Sequence, residues 1–387
     1  MNPSSGRCAR ALRKDNVNLV KPTGAMPSCT ALDWPPHRRF RPQGPSWLCN
    51  NLRNTEKRVT KTALITGAAG FVGSHLTDRC LQLGWDVVAL DAFTDYYDPA
   101  IKRRNLAQAA GRSRCTLIEA DLLEVDLRSI LSDVMIVFHL AAQPGVRSSW
   151  DDFDLYLQRN VSATQRILHA ARETSVDRIV IASSSSVYGD AETMPTTEMV
   201  ALRPVSPYGI TKVAVEHLAH LYWRSFRVPS VCLRYFTVYG PRQRPDMAFN
   251  RLISSALIGA PFEIFGDGNQ TRDFTYVDDV ISGSLAAAGL GEPGAVYNLG
   301  GGSTRTMNSV IAVLQELLDS PVQVRYIERQ KGDARDTAAD ITRARRALGF
   351  QPAMDFESGL ARQLAWHRSI MATETDIPSA CSVNART

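Results

Sequence analysis

The chain has 387 residues, 44% of them hydrophobic and 21% charged, which is room for a large core and excludes a disordered or highly charged chain. The net charge of +5 arises in residues 1–58, where eleven basic residues face three acidic ones, so it is no nucleic-acid footprint of a folded body. Seven scattered cysteines give neither a CxxC nor a metal-ligand spacing, and no stretch reaches the ~18 consecutive apolar residues of a membrane span.

Residues 1–58 are rich in Pro, Arg, Ser and Asn and show no sustained apolar period, so a disordered extension or an overlong start is expected there. They contain no apolar h-region with a small-residue cleavage site, and the odd cysteine set fits a reducing compartment, so the body reads as cytoplasmic. From Lys61 the rhythm changes. Thr62-Ala-Leu-Ile-Thr66 is a short apolar run, followed by the turn Gly67-Ala-Ala-Gly70-Phe-Val-Gly73 and helical periodicity over 71–83. Asp86-Val-Val-Ala-Leu90 is a second strand closing at Asp91, and Cys115-Thr-Leu-Ile-Glu119 a third. The strand series continues over residues 134–140, 178–182 and 230–235, with helices between. Such alternation predicts an α/β, Rossmann-type doubly wound parallel sheet covered on both faces. The expected organisation is a cofactor-binding domain over 59–235 whose core extends into later segments, a smaller substrate lobe mainly over 236–370, and a flexible tail at 371–387.

The glycine turn lies between strand and helix, as a dinucleotide site requires. Gly67 allows the tight turn, Gly70 lets the backbone approach a pyrophosphate, and Gly73 lets the helix pack against the strand. Asp91, eighteen residues past Gly73, can accept from ribose hydroxyls and repels a 2′-phosphate, favouring NAD over NADP. Asp121 and Leu122, after the third strand, are candidates for the adenine side.

Tyr208-Gly-Ile-Thr-Lys212 places a phenol and an ammonium on one helix face. A positive charge there favours the phenolate, making Tyr208 a base for alcohol oxidation by a nicotinamide. Ser183-Ser-Ser-Ser186 follows a buried-type strand about 25 residues earlier, where hydroxyls can relay a proton to Tyr208. His139 precedes the cofactor loop and reads as structural. Val213, Val215, Leu218, Leu221 and Trp223 offer apolar surface for a core or an interface.

These motifs, with His139-Leu-Ala-Ala142, Arg272-Asp-Phe-Thr-Tyr-Val-Asp-Asp279 and Gly332-Asp333, fall in the order of the extended short-chain dehydrogenases/reductases. The chain resembles their nucleotide-sugar epimerase/dehydratase group over about 62–367. The resemblance implies Ser184, Tyr208 and Lys212 as catalytic residues, and Gly67, Gly70, Phe71, Val72, Gly73, Asp91, Asp121, Leu122, Leu140, Ala141 and Ala142 as NAD contacts. It implies Asn160 as an active-site asparagine, and Arg272 and Arg335 on a nucleotide diphosphate.

Where the group's 4,6-dehydratases carry Thr-Asp-Glu, this chain has Ser184-Ser185-Ser186, which leaves no acid–base pair for dehydration. The decarboxylases' Glu is absent too. Stretches Asp91–Lys102, His139–Arg147 and Phe236–Ala248 are similar to the UDP-glucuronate 4-epimerase branch. That likeness implies an isomerase of a UDP-sugar, with Ser184, Ser185, Ser186 and Thr237 on a C6 carboxylate and Arg147 and Arg244 lining the sugar site. Epimerases of UDP-glucose or UDP-N-acetylhexosamine, and a non-catalytic nucleotide sensor, are the alternatives. The group commonly forms homodimers, and no membrane or nucleic-acid partner is implied.

Overall fold

The computed structural model describes residues 61–329, 332 and 334–375. The expected extension at 1–58 therefore lies outside the described residues, as does the tail beyond 375.

The strands run β1 (Thr62–Thr66), β2 (Asp86–Asp91), β3 (Cys115–Glu119), β4 (Ile136–His139), β5 (Arg178–Ser184), β6 (Ser230–Tyr235) and β7 (Thr237–Tyr239). They continue with β8 (Phe262–Phe265), β9 (Thr271–Tyr276), β10 (Val296–Leu299), β11 (Thr304–Thr306) and β12 (Val324–Ile327). Between them lie α1 (Phe71–Gln82), α2 (Pro99–Ala110), α3 (Leu127–Ile130), α4 (Phe153–Tyr156), α5 (Ala163–Ala170) and α6 (Pro207–Phe226). Helices α7 (Ala248–Leu257), α8 (Val277–Leu290), α9 (Met307–Leu318), α10 (Thr342–Leu348) and α11 (Phe356–Thr375) follow.

Seven strands form one parallel sheet in the order β10-β6-β5-β4-β1-β2-β3. Every strand of a parallel sheet needs a crossover, and right-handed crossovers starting from β1 in two directions place helices on both faces. Side-chain alternation divides the core accordingly. Ala63, Ile65 and Val180 pack into one apolar cluster, which holds Leu76 and Cys80 of α1 and Val280 of α8. Leu64, Ile179 and Ile181 point the other way, onto Ile167 of α5 and Val215 and Ala219 of α6. Truncating a wholly buried residue such as Leu64 to Ala would cost about 2–5 kcal/mol.

The sheet takes its seventh strand, β10, from deep within the 236–370 segment. That segment otherwise forms a three-stranded sheet, β11-β9-β7, and a parallel β12–β8 pair. The last helix, α11, extends to Thr375, five residues past the point where polar composition suggested a tail. Its buried residues Leu360, Gln363, Leu364 and His367 explain this, since tertiary packing outweighs local composition. Among the described residues no helix is long and apolar enough to cross a membrane.

Candidate active site

The strand order reverses between β1 and β4, and a cleft of about 1110 Å³ opens at the carboxyl ends of the strands. Every candidate residue from the sequence lines it except Asn160.

One end of the cleft is built for a dinucleotide. Gly67 has φ +69°, and a Cβ there would stand 2.8 Å from the Ala141 amide nitrogen. A Cβ on Gly73 would meet the Gly67 carbonyl oxygen at 2.1 Å, so α1 can sit this close to the turn only without a side chain. Gly70 caps α1 with no side-chain hydrogen bond, which leaves first-turn N–H groups and the positive helix end for a pyrophosphate. Asp91 is buried at the end of β2. Its two oxygens accept from the Ala69 and Phe93 amides, and Lys102 Nζ lies 3.3 Å from Oδ1. A carboxylate offers about four acceptor directions, so capacity remains for ribose hydroxyls. Asp121, Leu122, Leu140, Ala141 and Ala142 complete this wall. These residues fit a nicotinamide dinucleotide. Sequence reasoning quoted Lys102 only as the end of a motif and missed its contact with Asp91.

His139 is wholly committed to the scaffold. Thr164 gives its hydroxyl proton to the Asn160 carbonyl (2.6 Å), so His139 Nε2 must donate to Thr164 Oγ1 (2.9 Å). Nδ1 then accepts from Thr66 Oγ1 (2.8 Å), which itself accepts from the Ala141 amide. Burial, then the charge of Lys212, pushes the imidazole down to about 3, so it stays neutral. The structural reading of His139 agrees with this geometry.

Asn160 sits in a π-helical turn, Leu157–Ser162, between α4 and α5. Its Oδ1 accepts from the Gln143 amide (2.7 Å), and its Nδ2 donates to the Gln143 carbonyl (3.2 Å) and Thr211 Oγ1 (3.0 Å). In this structure it does not line the cleft. Both Nδ2 hydrogens and one Oδ1 lone pair hold the loop after β4 against α6.

Helix α6 starts at a Ser206 cap with Pro207 in its first turn, which fixes where Tyr208 enters the cleft. Burial dominates at Tyr208 and pushes the phenol up to about 12, while Arg244 and a hydrogen bond with Ser184 pull it down. Lys212, expected to bring positive charge near Tyr208, has Nζ 5.7 Å from the centre of the phenol ring and donates to the Ala182 carbonyl (2.9 Å). Desolvation holds its own ammonium down to about 8. Ser184 ends β5, and its Oγ accepts from the Ser186 amide and hydroxyl (3.2 and 2.9 Å). Ser185, Ser186 and Thr237 extend this run of hydroxyls along the cleft.

The other end of the cleft is basic. Arg244 grips Asp246 through Nε and Nη2 (2.9 and 3.0 Å), and Tyr96 reaches across to the same carboxylate (3.4 Å). Arg147 stacks on Phe265, its guanidinium carbon 3.8 Å from the ring centre. Arg272 donates to the Thr271 and Arg335 carbonyls, which keeps β9 and the chain around Arg335 side by side. Arg335 is largely exposed at the cleft rim. Tyr96, Asp246, Arg251 and Arg329 also line the cleft; Tyr96 and Asp246 lie in the stretches quoted for the resemblance, but none of the four side chains stood out in the sequence.

The sequence pattern of the NAD dependent epimerase/dehydratase family matches residues 63–300. The chain is 42% identical over 316 residues to the uncharacterized UDP-glucose epimerase YtcB of Bacillus subtilis, covering 80% of this chain and 99% of the relative. It is also similar to the crystal structure of UDP-glucuronic acid 4-epimerase from Bacillus cereus in complex with UDP-glucuronic acid and NAD. There the identity is 40% and the TM-score 0.78, over 80% of this chain and 99% of that one. MoeE5, solved in complex with UDP-glucuronic acid and NAD, is 42% identical with a TM-score of 0.73, over 80% and 99%. The fold, the glycine cradle and these matches agree: the chain belongs to the NAD-dependent epimerase/dehydratase family, and its cofactor is NAD.

Proposed function

We propose that the protein is an NAD-dependent 4-epimerase of a UDP-sugar, acting on UDP-glucuronate to give UDP-galacturonate. The observation that carries the choice of sugar is the row Ser184, Ser185, Ser186 and Thr237, with Arg244, beside Tyr208 in one cleft. Several hydroxyl donors and a guanidinium suit a C6 carboxylate. By fixing it they hold the C5–C6 bond of a 4-keto uronate away from the alignment that loss of carbon dioxide needs.

Gly67, Gly70, Gly73 and Asp91 would hold NAD, which would supply hydride acceptance from C4 and its return to the opposite face of the sugar. Tyr208 takes the O4 proton, Ser184 relays it, and Lys212 supplies positive charge behind the phenol. Arg272 and Arg335 would take the diphosphate, Arg272 with a fork suited to phosphate. The keto sugar would turn in the cleft before the proton returns.

NMR of the sugar protons tests the reading. Purified protein given UDP-glucuronate without added cofactor should form UDP-galacturonate with no net NADH. Turnover of UDP-glucose alone would keep the chemistry and overturn the sugar assignment. Ser186→Ala should release more UDP-4-keto-pentose than wild type, and equal release would remove the carboxylate clamp. One observation favours a neutral sugar as the second reading: Asp246 already neutralises Arg244.

A homodimer in the cytoplasm completes the proposal. Phe153, Leu157, Ile210 and Leu221, on α4, the π turn and α6, leave apolar surface exposed for a second copy. Cys80, Cys115 and Cys232 carry free thiols, in keeping with a reducing compartment. Light scattering at micromolar concentration would detect the dimer.

A further inference from the structure

Beneath the cleft, helix α6 carries a second ionisable residue that the chemistry above does not use. Glu216 lies one turn beyond Lys212 and two beyond Tyr208, and its side chain is 5% exposed. A carboxylate four residues from a buried ammonium would ordinarily pair with it. Here it does not. Arg234 of β6, 4% exposed, closes a fork on it, Nε to Oε1 at 2.9 Å and Nη2 to Oε2 at 2.6 Å. Ser183 Oγ donates to Oε1 at 2.5 Å. The third nitrogen of Arg234 donates to Tyr188 Oη (2.7 Å) and to the Glu198 carbonyl (3.3 Å). Tyr188 passes its proton on to Asn298 Oδ1 of β10 (2.7 Å), so the guanidinium is fixed from both sides. Lys212 is left with the neutral Ala182 carbonyl.

We propose that Arg234 is a positioning residue that sequesters Glu216, so that Lys212 remains an ammonium without a carboxylate partner, turned toward Tyr208 and the cofactor. An ion pair between Lys212 and Glu216 would cancel the charge needed behind the phenol and draw Nζ along the helix, away from Tyr208. The fork on Glu216 is geometrically suited to prevent this, because a bidentate guanidinium occupies both carboxylate oxygens at once. A buried pair is weak evidence for stability, since well-packed apolar residues often replace one without loss, so some other role has to account for it. The groups that face Lys212 are Tyr208 and Glu216 on its own helix, His139 on β4 and Cys232 on β6. Of these only Glu216 offers a carboxylate. The inference rests on the assignment of Tyr208 and Lys212 to catalysis.

The test is a rescue. Arg234→Met strips the guard from Glu216, and the holoenzyme variant should lose about tenfold or more in kcat with KM little changed. The alkaline limb of its kcat profile should move up by about one pH unit, because a carboxylate pairing with Lys212 holds the ammonium charged to higher pH. Adding Glu216→Gln should restore kcat to within about threefold of wild type and return the limb to its place. Where Arg234→Met does not fold, Arg234→Lys replaces it, since one ammonium leaves a carboxylate oxygen open and the same loss and rescue should appear in smaller measure. Full activity in the single variant, or a loss that scales the profile without moving it, would overturn the proposal. So would a double variant that stays inactive or fails to fold. Tyr208→Phe serves as the control: if it retains activity, the catalytic assignment has failed rather than the role of Arg234.

Discussion

His139 ties the cofactor loop to the π turn through a neutral ring, and this makes the fold sensitive to acid in a calculable way. Its folded-state value of about 3 lies below the ordinary 6.5, so the unfolded chain binds a proton that the native ring refuses. A group depressed in this direction contributes stability that is complete above about pH 6.5. That stability is lost as pH falls, by about 1.4 kcal/mol per unit, until the folded value is reached. Other buried histidines share the window, His367 with a value of about 4, so the effect has to be isolated by difference. His139→Gln retains one donor and one acceptor but cannot titrate. At pH 8 it should cost about 1–3 kcal/mol, for two hydrogen bonds made less well. Between pH 6.5 and 4.5 the gap between wild type and variant should shrink by about 2 kcal/mol, because only the wild type loses the His139 contribution. Guanidinium unfolding followed by tryptophan fluorescence at the two pH values gives both free energies. A gap constant to within about 0.5 kcal/mol would refute the neutral, doubly bonded ring.

Asn160→Ala should lower kcat by about tenfold or more and leave KM for the UDP-sugar within about twofold, since the side chain braces α6 and does not line the cleft. Steady-state kinetics showing the reverse split would return Asn160 to the substrate. Gly73→Ala should yield protein that retains little NAD through purification, because the new Cβ collides with the Gly67 carbonyl, a backbone atom that cannot turn aside. Nucleotide content after heat extraction checks this, and full occupancy would contradict it. Arg272→Ala should raise KM by about 10- to 100-fold with a smaller change in kcat, the loss of one charged contact to a diphosphate. An unchanged KM would remove it from the site.

The parts of the fold visible in the sequence were those decided locally. The run Thr62–Thr66, the glycine turn and α1 follow from apolar period and from the steric freedom of Gly67, and the strand pairing β1 with β2 comes next in the chain. The hydroxyl run was legible because four serines, Ser183 to Ser186, stand together where a buried strand ends. What stayed hidden depends on partners far away. Strand β10 reads like any short apolar stretch, and only the free edge of β6, more than sixty positions earlier, gives it a place in the large sheet. The resemblance names Asn160, but its bracing contacts come from a π turn that periodicity at 3.6 cannot register. Glu216 and Arg234 read as ordinary charges on a helix and a strand, and burial of both follows only when α6 lies across β5 and β6.

Tyr208 shows how burial and charge divide the work. Enclosure in the cleft gives it a fixed place but drives the phenol up to about 12, away from the acidity a base needs near neutrality. Only positive charge and hydrogen bonds to the ionised form can reverse that. The cleft wall supplies both, with Ser184 bonded to the phenol and Arg244 acting on it across the cavity. The charge of Arg244 is itself shared with Asp246, so its pull is less than that of a bare guanidinium. A buried ammonium four residues on is then the natural further source, but desolvation, opposed in part by Cys232 and Glu216, lowers Lys212 to about 8. Neither cation suffices by itself at this depth. On the proposed assignment of Tyr208 as the base, several partial corrections, each weakened by burial or by a partner, converge on one oxygen.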